Sequence, residues 1–182
     1  MEIELARHNW PELRSFADSA TLPDSIRALA VASDKESARL AYWRIDNVAL
    51  LDGCLTQSAV AVAASLVQAL TAMSPPALAY ALELLAQISG GYVHEPEDQG
   101  LGPVTVEECV REISLAFPYF CELLETSGSS QARASCVDLI MACGLREGYL
   151  KERARHVLVS ALELPEIRSH RELILNSLRE LE

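Results

Sequence analysis

The sequence predicts an all-α fold, a stack of antiparallel helical hairpins with about eight helices in a single domain spanning residues 1–182. Three observations carry this. Apolar residues recur at spacings of three and four along almost the whole chain. No long segment alternates with period two. Pro, Gly and Ser clusters punctuate the pattern, so most helices should run about 13 to 20 residues between short turns. Several helices are apolar on more than one face, which suits an inner layer held between neighbours. No internal repeat of fixed period accompanies the pattern.

The elements follow in order. Residues 1–33 should hold short helices. Asn9 is placed to cap the first, with Pro11 at an early position where its missing N–H costs little. Pro23 and Asp24 open a second helix that runs to Ala32. The hairpins proper should occupy residues 34–182. Ser33, with Glu36 three residues on, predicts a capping box for a helix that reaches Leu51 and stops at Asp52-Gly53. A helix over 56–72 is rich in alanine. Ser74 caps the next, Pro75 to Ile88, and Ser89-Gly90-Gly91 ends it. A long acidic loop is expected over 90–103. Helix 105–125 should kink near Ser114, because Pro118 removes a backbone bond. Helix 131–143 should end at Gly144, followed by helix 148–163 and a last helix from Pro165.

Composition narrows the function classes. Half of the 182 residues are hydrophobic and 23% are charged, the balance of a chain that folds around a core. The formal charge is −11, and the only lysines are Lys35 and Lys151. Nucleic-acid affinity needs cations against phosphates, so no nucleic-acid partner is expected. The acidity is uneven. No Lys or Arg lies between Arg44 and Arg111, an interval with eight acids: Asp46, Asp52, Glu83, Glu95, Glu97, Asp98, Glu107 and Glu108. This is either a solubilising bias or a face that attracts a cationic partner. Residues 53–82 carry no charge, but polar residues and Pro75-Pro76 interrupt them, so two soluble-type helices are expected instead of a membrane span. The start, MEIELARHNW, lacks the apolar run of a signal peptide. The five cysteines form no CxxC pair and sit among apolar neighbours, which fits a reduced, cytoplasmic setting.

The run YWRIDNVALLDGCLTQSAV, Tyr42 to Val60, resembles the start of small bacterial HEAT-like proteins. ALELLAQISGGY (81–92) is similar to their second hairpin entering a variable loop. EECVREISLAFPYFCELL (107–124) is similar to the helix that re-enters after it. The likeness covers roughly residues 36–145 in order, and departs from the pattern in its acidic loop and in Pro118. It implies a HEAT-like stack without shared catalytic residues, and a binding role as an immunity protein or immunity-associated partner in bacterial toxin systems. It also implies that the bound surface differs between members.

The same segment poses a local question. Trp43, Arg44, Asp46 and Asn47 crowd polar groups between bulky and apolar residues. Asn47 lies one turn after Trp43, and Arg44 faces Val48 instead. If they are buried they must be paired. The expectation is therefore a structural role: Arg44 bridging to a carboxylate on a neighbouring helix, Asn47 tying down a backbone group. The alternative is that Asp46 or Asn47 touches a partner.

The remaining candidates give no catalytic constellation. His94-Glu95-Pro96-Glu97-Asp98 clusters possible ligands in one loop without a second His or Cys nearby, so no metal site is expected. The loop fits a partner contact better, with Tyr92 as an aromatic anchor. Glu107 and Glu108 read as first-turn acids on a helix dipole. Cys121 and Cys143 have no arranged base, His156 reads as a partly packed helix residue, and no phosphate loop, GxSxG or HExxH occurs. No catalytic residue and no cofactor are predicted. The expected function is occlusion of a cognate protein toxin with a basic surface, a nuclease being one example. The expected partner surface is Asp46, Asp52, Glu83, Tyr92, His94, Glu95, Glu97, Asp98, Glu107 and Glu108. A HEAT-like adaptor that scaffolds proteins without inhibiting them is the alternative.

Overall fold

Ten α-helices and one very short hairpin make up the part of the computed structural model that is described, residues 1–93 and 101–182. The all-α expectation holds. Several boundaries move, each for a local reason.

Helix α1 (Glu2–Arg7) precedes the expected start, and Asn9 caps only a 3-10 turn, Trp10–Glu12, without a side-chain bond. Helix α2 (Leu22–Val31) has Pro23 in its first turn. Helix α3 (Lys35–Ala49) is capped by Asp34, not Ser33. The Asp34 carboxylate accepts from the backbone N–H of Glu36 at 3.0 Å and of Ser37 at 2.9 Å. A carboxylate there satisfies two open donors and also meets the positive end of the helix dipole.

Helix α3 does not continue to Leu51. The Val48 carbonyl accepts from Phe16 N–H, and the Ala49 carbonyl accepts from both the N–H and the hydroxyl of Thr56. With those carbonyls taken from outside the helix, the chain turns into strands β1 (Leu50–Leu51) and β2 (Cys54–Leu55). The pairing is antiparallel, Leu50 to Leu55 and Leu51 to Cys54. Asp52 (φ 50°) and Gly53 (φ 80°) form the turn in left-handed conformations, which Asp tolerates and Gly adopts freely.

Helix α4 (Ser58–Ala69) is buried on nearly every side, which explains its lack of charge. No helix among the described residues is long and apolar enough to cross a membrane. Ser74 caps α5 (Pro75–Ser89) as expected, accepting from Ala77 N–H. The expected kinked helix 105–125 is two helices, α6 (Val106–Ser114) and α7 (Phe117–Thr126). Pro118 sits in the first turn of α7, where its missing N–H is harmless, so it starts a new helix instead of bending an old one.

Helix α8 (Ser130–Arg146) runs through Gly144, which does not end it. A Cβ at Gly144 would lie 2.7 Å from Ala154 Cβ and 2.9 Å from Leu181 Cδ2. The glycine is there because α8 and its neighbours approach closely. Helices α9 (Lys151–Ala161) and α10 (Arg171–Glu180) complete the chain, with a 3-10 turn, Pro165–His170, where the last helix was expected to begin.

Consecutive helices pair: α2 with α3, α4 with α5, α6 and α7 with α8, and α9 with α10. The pairs stack in register. The first members touch one another, α2 with α4, α4 with α6 and α7 with α9. So do the second members, α3 with α5, α5 with α8 and α8 with α10. Between the layers lies one apolar core containing Ile26, Ile45, Leu66, Leu85, Phe117, Phe120 and Ile140.

Candidate functional site

The second layer positions the site. Helices α3, α5 and α8 place their C-terminal halves side by side, and two open grooves run between them. The first, about 440 Å³, is bounded by Tyr42, Trp43, Asp46, Asp52, Gly53, Gln87 and Gly90. The second, about 430 Å³, lies between α5 and α8 and includes Glu83, Ser135, Asp138, Met141 and Arg146. Gln87 and Gly90 border both, so they form one continuous face. The negative ends of the three helix dipoles converge on it.

Of the expected partner residues, Asp46, Asp52 and Glu83 come together here. Burial, with the charges of Asp52 and Glu83 behind it, holds the Asp46 carboxyl above its ordinary value. Burial likewise raises Asp138, which the sequence reading did not single out. Gln131 donates to Glu83. Neither Asp46 nor Asp52 forms an ion pair with any described residue.

The aromatic part of the face was also missed. Tyr42 and Trp43 meet edge to face, ring centroids 5.0 Å apart at 83°. Tyr42 is buried, leans on Tyr80 at 5.4 Å, and accepts a 2.7 Å hydrogen bond from Gln87 Nε2. Its phenol is pushed up to about 12, chiefly by burial. Trp43, by contrast, is 45% exposed. Nothing in the sequence signals Gln87 or Asp138. The adjacency of Tyr42 and Trp43 was visible, but not that one ring braces the other.

Tyr92 reaches the edge of the same face. Its N–H donates to the Gly53 carbonyl and its carbonyl accepts from Leu55 N–H, both at 2.9 Å, so it extends the hairpin. Glu108 is engaged locally, closing a capping box with Thr105 across bonds of 2.9 to 3.1 Å. Glu107 pairs with Arg146. His94, Glu95, Glu97 and Asp98 lie outside the described residues.

The expected structural role for Arg44 and Asn47 is corrected. Both are exposed, and neither makes a side-chain hydrogen bond or ion pair with a described residue. They line a separate, larger groove of about 720 Å³ between α2 and α3, with Ala17, Thr21, Leu40, Trp43 and Val48. An exposed polar group has water as its partner, so nothing forces it to pair within the protein.

Catalytic geometry is sparse. Ser130 Oγ lies 3.1 Å from His170 Nε2 on an exposed surface, with no carboxylate holding the ring among the described residues. Cys54, Cys109, Cys136 and Cys143 are buried and Cys121 is half-buried. No group of three or more His, Cys, Asp or Glu among the described residues is placed to hold a metal ion. Comparison with known proteins adds no neighbour: no family model, curated protein or solved structure matches the chain.

Proposed function

We propose that this chain is a non-catalytic binding protein, an immunity protein that neutralises a cognate bacterial toxin in the cytoplasm by covering a basic surface. One observation carries the reading. Asp46 and Asp52, without an ion-pair partner among the described residues, share an open face with Glu83 and an exposed tryptophan, at the converging C-terminal ends of three helices. Such a face draws in a cationic partner by long-range attraction and holds it through a desolvated aromatic contact. The register of the stacked pairs supports a HEAT-like description, in which the second helices of successive pairs present a recognition surface.

The test is co-expression with the product of the adjacent gene, followed by purification at low and at high salt and a growth assay. A complex that weakens as salt rises, with rescue of cells expressing the neighbour, is the expected result. A complex without rescue transfers the function to an adaptor that scaffolds its partner. No complex and no rescue overturns the toxin pairing.

A further inference from the structure

We propose that the groove between α3 and α5 is a slot for one arginine side chain of the partner, its guanidinium stacked on Trp43 and bonded to Asp46 and Asp52. The proposal rests on the reading of a basic partner and names the group that partner inserts.

The slot combines an exposed aromatic wall with a specific charge complement. Trp43 lines the groove and is 45% exposed; Leu51, in the adjoining hairpin, is 45% exposed, and Tyr92, whose ring lies beside Gly53, is 49% exposed. Exposed apolar side chains gathered in one place mark interaction surfaces. Within this patch the indole of Trp43 is held still. Tyr42 meets it at a near-perpendicular angle, and Tyr42 is contacted in turn by Tyr80 and Gln87. A braced ring loses little freedom when a partner docks on it.

Charge then selects the occupant. Asp46 follows Trp43 by three residues on α3, on the same side of the helix. Asp52, in the hairpin turn, closes the groove from the end. Glu83 adds a third negative charge close enough to act on Asp46. Among the described residues the groove has no cation of its own, since each that lines it is neutral or acidic. Arginine fits these walls better than lysine. Its planar guanidinium stacks on an aromatic face, sheds water more readily than an ammonium, and presents several N–H donors that can bridge two carboxylates.

The test needs no knowledge of the partner. The probe is N-acetyl-arginine methylamide, titrated into the full chain while NMR follows the indole N–H signals of the two tryptophans. Trp10 is the internal control: it is buried, and its indole donates to the Leu5 carbonyl at 2.7 Å. The expected result is a saturable shift of the Trp43 signal with Trp10 unmoved. The lysine analogue should bind more weakly, and the neutral citrulline analogue should give no saturable shift. Asp46→Asn should weaken arginine binding about fivefold or more, the loss of one charge-assisted bond. Asp52→Asn is the second variant, because Asn tolerates the left-handed turn and leaves the fold in place. No saturable shift, equal binding of citrulline, or unchanged affinity in both variants overturns the slot.

Its failure is distinct from failure of the toxin reading. A neighbour complex that forms although arginine does not bind rejects the slot alone. Arginine binding without a neighbour complex supports the slot and rejects the toxin pairing.

Discussion

Two grooves flank α3 and share Trp43 as a wall. The one toward α2 is the larger, about 720 Å³ against about 440 Å³ toward α5. It holds an exposed leucine, and Arg44 and Asn47, whose side chains bond to none of the described residues. The smaller holds the braced Tyr42–Trp43 corner and two carboxylates that pair with no cation among the described residues. Size favours the first and chemistry the second. In a chain of net charge −11, an anion approaching Arg44 moves against the overall field, whereas a cation approaching Asp46 moves with it. The comparison teaches that an open volume becomes a recognition site when its walls are fixed and its charge is uncompensated.

The largest way to break the contrast is at Gly91, which packs against the hairpin whose Gly53 lines the smaller groove. A Cβ there would lie 2.7 Å from Leu55 Cδ2 and 2.9 Å from the Gly53 carbonyl. Gly91→Ala should push the Tyr92 strand off the hairpin and destabilise the protein by about 1–3 kcal/mol, as overpacking does. Thermal unfolding measures this. Arginine-probe binding should fall with it, while the α2–α3 groove stays intact.

Removing the shared wall comes next. Trp43→Ala should cost about 2 kcal/mol or more of binding to the basic partner, the scale of an aromatic anchor. The exposed indole contributes less to folding than to docking, so the loss should show in calorimetric titration more strongly than in Tm. Equal losses in both would make Trp43 a core residue and erase the distinction between the grooves.

How much of this was legible depends on the range of the interactions. Helix α5 and its Ser74 cap follow from local spacing and local donors, and the sequence shows both. The Asp52-Gly53 turn carried a true hairpin signal, Asp-Gly between apolar pairs, yet it reads equally as a helix stop because the strands are two residues each. Gly144 looked like a terminator because its reason lies in Ala154 and Leu181, which only packing brings near. Asp46, Asp52 and Glu83 were visible as charge. Their meeting with Tyr42 and Trp43 was not, because it requires α3 and α5 to lie side by side. Arg44 and Asn47 were misread for a related reason: one helical face says nothing about whether a neighbour covers it.

A smaller effect sharpens the chemistry of the narrow groove. Because Asp46 is held above its ordinary value by burial and by Asp52 and Glu83, with the buried Tyr42 phenol beside it, the native state binds the proton more tightly than the unfolded chain. Stability attributable to Asp46 is therefore greatest at low pH and declines as pH rises from the ordinary carboxylate value through the raised one. Asp46→Asn removes that dependence. Its Tm should match or exceed the parent at neutral pH, and the advantage should vanish below the ordinary carboxylate range. A variant that binds arginine less well yet melts no earlier would mark Asp46 as a group kept for recognition at some cost to the fold.

The smallest expected effect lies in the wide groove. Asn47 is exposed and makes no side-chain bond to a described residue, so Asn47→Ala should change stability by no more than about 0.5 kcal/mol, the usual range for such surface positions. Affinity for the basic partner should change less than about twofold, because the amide lies on the flank of α3 away from the carboxylates. Thermal unfolding and titration of the same preparation decide both. A fall of several degrees in Tm would mean that Asn47 secures the end of α3 after all, and that the polar cluster beside Trp43 is architecture. An unchanged Tm with weakened binding would mean that the partner spans the crest of α3 and occupies both grooves, with Trp43 at the centre of the contact instead of at its edge.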